Sequence, residues 1–191
     1  MILKTPSSQA WLAAVMNDFD NFLLDHASCE KKASGMAISI LSHYPDKADI
    51  VLAMTDLALE ELNHFRQVTQ LIYQRGLQLG ADQKDPYVNR LLKLIRKGAE
   101  TYLQDRLLLA AIIEARGHER FSLIAEALPE GKMKQFYQAI ARSEGKHYEL
   151  FLDLAKKHTD TDKTQVDVRL EELLIAEAEI INQLPLTAAL H

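Results

Sequence analysis

The chain has a single cysteine, Cys29, in 191 residues. A lone thiol closes no internal disulfide, so nothing here asks for an oxidising compartment. Glycine and proline are scarce, at 7 and 5, while alanine, leucine, glutamate and lysine are plentiful. That balance points to an all-helical protein. No apolar run approaches the roughly 20 residues needed to span a bilayer. The segment Met1-Ile2-Leu3-Lys4-Thr5-Pro6 lacks the basic start, apolar stretch and small-residue cleavage site of a signal peptide. A cytoplasmic protein is the expectation. There is no low-complexity tract, no nucleotide-binding glycine loop and no sign of a second domain, so residues 1–191 read as one domain with enough chain to bury a core.

Charge of either sign is not in large excess. The formal net charge of −5 comes from 22 basic and 27 acidic residues. If four of the acids are buried metal ligands, the remainder is close to neutral, so the total does not exclude a nucleic-acid partner. Where the charges lie matters more than their sum.

What is present is helical periodicity with clear stops. Thr5-Pro6-Ser7-Ser8 offers hydroxyl caps, so a helix should start near Gln9 and run to about Ser42, whole or broken once near Asn17. His43-Tyr44-Pro45-Asp46 ends it, because proline pushes the preceding residue out of helical geometry. A second helix is expected from Lys47 to Gln74, closed by Arg75-Gly76. The segment from Leu77 to Pro86 is the longest connection, and a four-helix bundle with one crossover would place it there. Periodicity resumes near Tyr87 and continues, with a break possible at Gly98, to Leu128. Pro129-Glu130-Gly131 is a short turn, and a fourth helix follows from Lys132 to His158. Thr159-Asp160-Thr161-Asp162 reads as a polar linker before a peripheral fifth helix, Thr164 to Asn182.

Within these helices, four glutamates occupy positions where core residues belong. The second helix carries the stripe Ile50, Met54, Leu57, Glu61, His64, Val68, Leu71, and the fourth Met133, Tyr137, Ile140, Glu144, His147, Phe151, Leu154. The first gives Met16, Phe19, Leu23, His26, Glu30, Ala33, Ala37, and the third Leu103, Leu107, Ala110, Glu114, Gly117, Phe121, Ile124. Each glutamate therefore lies on the apolar seam. An ionised carboxylate there is costly unless it is paired or coordinates a metal, and four facing one another would repel. Two divalent cations remove the conflict.

The pattern also divides into matched halves. Glu30 precedes Glu61-x-x-His64 by nearly the interval that separates Glu114 from Glu144-x-x-His147. A step of three residues puts glutamate and histidine on one helical face, able to reach one metal. Glutamate oxygen with imidazole nitrogen suits iron or manganese, and a Glu/Glu-x-x-His set in each half is the ligand arrangement of a dimetal carboxylate centre in a four-helix bundle. A single Glu-x-x-His is ordinarily a solvated pair. Four seam glutamates, one per helix, with two paired histidines are not explained that way.

Neighbouring residues divide less cleanly. Glu60 reads as a rim charge, since the stripe selects Glu61. His26 lies one turn before Glu30 and His118 one turn after Glu114. Either could hydrogen-bond a ligand, but a partly exposed or core-satisfied histidine is the better reading of each. Cys29 reads as a small buried hydrophobe, and Tyr137 and Tyr148 as packing aromatics.

The words around the ligands add specificity. Asp25-His26-Ala27-Ser28-Cys29-Glu30-Lys31-Lys32-Ala33, Glu60-Glu61-Leu62-Asn63-His64-Phe65, Asp105-Arg106-Leu107-Leu108 with Ile113-Glu114-Ala115-Arg116, and Ser143-Glu144-Gly145-Lys146-His147-Tyr148 resemble the tRNA 2-methylthio-N6-isopentenyladenosine hydroxylases, a ferritin-like family. The resemblance runs from about Thr5 to Glu179. It implies an all-α, ferritin-like four-helix bundle with one long crossover and an additional C-terminal helix. It implies two iron ions held by Glu30, Glu61, His64, Glu114, Glu144 and His147, with O2 as co-substrate and no catalytic residue beyond the ligands. The implied reaction is hydroxylation of the isopentenyl group on the modified adenosine next to the anticodon.

Two places depart from the family's words. Gly117-His118 stands where serine then cysteine is expected, and Gly145-Lys146 where alanine then arginine is expected. Neither changes a ligand. tRNA is the implied partner, along with an external electron donor, a reductase or ferredoxin, since the chain has no nucleotide loop of its own. A monomer or dimer with no membrane contact is expected. Two groups of cations are candidates for phosphate contact. Arg90, Lys93, Arg96 and Lys97 recur at near-helical spacing, and Arg116, Arg120, Arg142 and Lys146 lie near the ligands in sequence. The competing function is ferroxidase, iron handling or peroxide reduction on the same ligand set.

Overall fold

A computed structural model describes residues 3–158 and 163–191, with the side chains of Glu100 and Lys163 excepted. Among the described residues all regular structure is helical: α1 (Gln9–Asn17), α2 (Phe19–His43), α3 (Ala48–Gln74), α4 (Pro86–Leu92), α5 (Ala99–Ala127), α6 (Lys132–Lys157) and α7 (Lys163–Asn182). The linker expected at Thr159–Asp162 lies outside the described residues. The chain forms two compact units. One comprises residues 13–83 and 187–190, and the other takes the rest of the described chain.

The helix ends follow local chemistry. The break expected near Asn17 falls at Asp18, whose carboxylate accepts the backbone N–H of Asn21 at 3.4 Å and caps α2. At the end of α3, Gly76 takes φ +76 and the N–H of Leu77 returns to the carbonyl of Ile72, the left-handed closure that glycine permits. Asp85 caps α4 by accepting from the N–H groups of Tyr87 and Val88, with Pro86 in the first helical turn.

In the unit built on α2 and α3, the two helices pack along Phe22, Leu23, Ala27, Ala37 and Ile40 on one side and Ile50, Met54, Leu57, Val68 and Ile72 on the other, all buried. Each large side chain so buried stabilises by about 1.5–3 kcal/mol. The Ser34 hydroxyl donates to the carbonyl of Ala58 at 2.8 Å, a polar tie inside this apolar seam.

In the other unit, α5 packs chiefly on α6 and also meets α4 and α7. Leu107, Leu108, Leu109, Ala110, Ala111 and Ile112 are consecutive and all buried, so α5 is enclosed around its circumference there. The break possible at Gly98 is present, and it is wider than expected: α4 stops at Leu92, and α5 restarts at Ala99 with Gly98 as its N-cap. Buried Asp105 accepts the backbone N–H of Arg96 at 2.9 Å and both the Arg96 and Arg169 guanidinium groups. Arg169 also donates to the carbonyl of Leu94. These bonds satisfy the polar backbone that the interruption frees.

Candidate metal centre

In the α2–α3 unit, α2 supplies Glu30 and α3 supplies Glu61 and His64, all three buried. One donor atom from each lies within 4.8 Å of the others. His64 Nδ1 is 3.6 Å from Glu30 Oε2 and 3.4 Å from Glu61 Oε2. In the α5–α6 unit, α5 supplies Glu114 and α6 supplies Glu144 and His147, again buried and again within 4.8 Å. His147 Nδ1 stands 3.6 Å from Glu114 Oε2. The same histidine-to-glutamate separation thus recurs in both units. It is too long for a hydrogen bond, and it matches two donors sharing one metal at bonds of roughly 2.1 Å. The donor set therefore fits a divalent transition metal in each unit.

The electrostatics agree with that fit. Burial pushes the Glu30 carboxyl up, against the opposing pull of the hydrogen bond from His26 and of the nearby His64 imidazole. Burial disfavours charge on His64, yet the carboxylates of Glu30 and Glu61 outweigh it and push the imidazole up to about 10. The cluster draws positive charge to itself, as a proton or as a metal ion.

His26 takes the role that the sequence reading ranked second. It is fully buried, and its Nε2 lies 2.6 Å from Glu30 Oε1, so it orients a candidate ligand carboxylate. The signal was its spacing, one turn before Glu30. His118 turns away instead: its Nδ1 pairs with the Ala141 carbonyl at 2.6 Å and its ring is exposed. Glu60 is exposed, with Oε1 4.0 Å from His64 Nε2, as befits a rim charge. Tyr137 packs on Phe121 and Phe136. Cys29 is half-buried rather than buried, with its sulfur 3.8 Å from Asp25.

A small side chain at the α5–α6 crossing matters for the ligands. A Cβ on Gly117 would lie 2.8 Å from Glu144 Oε2, and one on Gly145 would lie 3.2 Å from His118 Nδ1. Each helix thus contributes a glycine against a functional side chain of the other. Sequence reasoning noted both glycines only as departures.

Beside this crossing is a cavity of about 670 Å³, lined by Ala115, His118, Leu123, Arg142, Lys146 and Tyr148 among others.

Along its whole length, residues 1–191, the chain matches the family described as tRNA-(MS[2]IO[6]A)-hydroxylase (MiaE). It belongs to that family. A relative from Pseudomonas putida, named tRNA 2-(methylsulfanyl)-N(6)-isopentenyladenosine(37) hydroxylase, is 35% identical over 179 residues, covering 94% of this chain and 86% of that one. A relative of the same name from Salmonella typhimurium is 27% identical over 228 residues, covering 94% and 83%. Among solved structures, a protein from Synechococcus described as having aldehyde deformylating oxygenase activity is similar over 100% of this chain and 96% of its own, with TM-score 0.92 and 33% identity. This MiaE-family chain accordingly has the all-α, ferritin-like four-helix bundle fold, as the sequence suggested.

The cations expected to meet tRNA fare differently in this MiaE-family structure. Arg116 is fully buried, bonded to Glu177 at 2.7 Å, Glu119 at 2.6 Å and the Thr5 carbonyl at 2.9 Å. Arg120 is 4% exposed and lies over the Trp11 ring at 4.3 Å. Neither guanidinium faces outward, so both drop out as phosphate contacts. Their closeness to Glu114 in sequence made them candidates, but both belong to an internal ion cluster. Arg96 is exposed but forked on Asp105, and half-buried Arg90 donates to Gln183 at 3.3 Å. Because α4 ends at Leu92, these cations do not share one helix face. Lys93, Lys97, Arg142 and Lys146 are exposed. Among the described residues no helix is long and apolar enough to cross a membrane.

Proposed function

We propose that this protein is a di-iron monooxygenase that hydroxylates the isopentenyl group of 2-methylthio-N6-isopentenyladenosine in tRNA, next to the anticodon. The observation that carries the reading is the pair of buried Glu/Glu-x-x-His triads in a chain of the MiaE family. Glu30, Glu61 and His64 would hold one iron, and Glu114, Glu144 and His147 the other. Together they would make one ferritin-like di-iron domain. Such a metal pair supplies the power to place one oxygen atom of O2 into an unactivated C–H bond, with the second atom leaving as water.

The protein's residues do the rest. His26 fixes the Glu30 carboxylate, leaving its other oxygen for coordination. Phe22, Leu23 and Met54 in one unit, and Leu107, Ile140 and Phe151 in the other, are buried apolar neighbours along the same helices. They keep bulk water from the ligands. Two electrons per turnover must come from a separate reductase or ferredoxin, because the chain has no nucleotide-binding loop. Lys93, Lys97, Arg142 and Lys146 are the cations available to tRNA phosphates, with Arg90 and Arg96 available only in part.

The test is to load the protein with iron, supply peroxide in place of O2 and reductant, and add isopentenylated tRNA. Nucleoside mass spectrometry should find one added oxygen, dependent on iron. A full complement of iron with no oxygen gained would refute the substrate assignment. The activity named for the Synechococcus relative favours a second reading, aldehyde deformylation. The same loaded protein given an aldehyde, O2 and reductant would then release a hydrocarbon one carbon shorter, with the formyl carbon leaving as formate.

A further inference from the structure

The α5–α6 crossing is built on a reciprocal fit. Gly117 of α5 faces Glu144 of α6, and Gly145 of α6 faces His118 of α5. On α5, Gly117 sits in a buried stretch between Arg116 and Glu119, and Glu144 is itself buried. A Cβ at 117 would meet the end of the Glu144 side chain first, at 2.8 Å from Oε2, with Cδ at 3.6 Å and Cγ at 3.7 Å. Real Cβ atoms essentially never lie under 3.0 Å from a heavy atom. The carboxylate would therefore have to retreat by a few tenths of an ångström, while helix backbones and packed apolar groups stay put.

We propose that Gly117 is a positioning residue. Its missing side chain is the space in which the Glu144 carboxylate lies, and that space sets where Glu144 meets its metal. The inference rests on the reading of Glu144 as a ligand. A retreat of that size exceeds the tolerance of about 0.2 Å within which metal–ligand distances are held. Serine, expected at this position from the family resemblance, would fill the space and give Glu144 a hydroxyl neighbour. This chain thus holds its carboxylate closer to the α5 backbone than a chain with serine there can. Gly145 has a parallel role toward a different group. It admits the His118 ring, whose Nδ1–H donates to the Ala141 carbonyl, and so fixes one wall of the adjoining cavity.

The experiment is anaerobic titration of the metal-free full chain with Fe(II), and in parallel with Co(II) for its visible spectrum. Gly117→Ala and Gly117→Ser are compared with Gly35→Ala, a helical glycine whose Cβ would meet nothing within 4 Å. Wild type should take two metals. In both Gly117 variants one of the two sites should weaken about tenfold, the lower end of what outer-shell changes do, and the Co(II) spectrum should change. Gly35→Ala should leave affinity and spectrum as in wild type. Melting of metal-free Gly117→Ala should occur at or above the wild-type temperature, because alanine favours helix and the only group displaced is a flexible carboxylate end.

Unchanged affinity and spectrum in folded Gly117 variants would overturn the proposal. So would a fall in melting temperature of the metal-free alanine variant, since the Cβ would then be striking packed structure rather than Glu144. If wild type itself fails to take two metals, it is the ligand reading that fails.

Discussion

At the scale of single residues, the six ligands and their immediate partners make separable claims. Glu144→Ala should lose metal at one site, read as iron stoichiometry, while far-ultraviolet circular dichroism stays helical. Glu30 and His64 make a claim about pH. Both hold protons more tightly folded than unfolded, Glu30 chiefly through burial and His64 through its two carboxylates. The contribution of Glu30 to the metal-free protein is therefore complete only below its ordinary carboxyl value of 4.5, while that of His64 is complete below the ordinary imidazole value of 6.5 and drains away as pH rises to about 10. Thermal melts of the metal-free protein across that window should show a falling midpoint. Saturating metal should flatten the profile, because bound metal takes the place of the protons. The Arg116 cluster makes a claim about stability. Arg116→Ala leaves Glu177 and Glu119 buried without their shared cation, and should cost about 3–5 kcal/mol in denaturant unfolding. Replacing Arg116 and Glu177 together should cost less than the sum of the single changes.

At the scale of elements, the α5–α6 crossing predicts coupling between its two sides. Gly145→Ala brings a methyl to 3.2 Å from the His118 ring and should destabilise. The same change in a His118→Cys background should be milder, since a thiol leaves room. A double-mutant cycle on melting temperature measures that interaction directly. Additive effects would show that the ring does not depend on the glycine.

The elements also show what a sequence can and cannot announce. Helix ends at Pro45, Gly76 and Pro129-Glu130-Gly131 were legible because their causes are local. The interruption over 93–98 was legible only at its end, Gly98; its start after Leu92 was not, because Asp105 holds Arg96 and Arg169 from 9 and 64 positions away. The six candidate ligand positions, which the structure buries as two triads, stood out because charge on an apolar seam is a contradiction that metal would resolve. The burial of Arg116 was not legible, because it lies off the α5 stripe and its partner Glu177 comes from α7, which no local pattern links to it. His26 lay at the right spacing, and only the structure distinguished a ligand-orienting histidine from an ordinary buried one.

At the scale of the whole molecule, the question is how a chain of net charge −5 meets a polyanion. Burial removes Arg116 and Arg120 from the outer surface and leaves Lys93, Lys97, Arg142 and Lys146 exposed. Replacing any one of these four by glutamine should weaken tRNA binding and reduce the slope of log affinity against log salt by about 1. Binding is measured by anisotropy on metal-free protein. Unchanged slopes at all four would show that tRNA approaches by another face.

The N-terminal segment is tied to the rest of its unit by several polar groups. Ser7 donates to Glu119 through both its backbone N–H and its hydroxyl, and the Arg120 guanidinium covers the Trp11 ring. Trp11 is the chain's one tryptophan, and it is 3% exposed. The molecule therefore carries a built-in optical gauge. Excited where tyrosine does not absorb, its emission comes from one indole beneath the Arg120 guanidinium, and a shift to the red reports detachment of this segment from α5. Comparing that signal with helix loss during unfolding would time the undocking of residues 3–12 without any label.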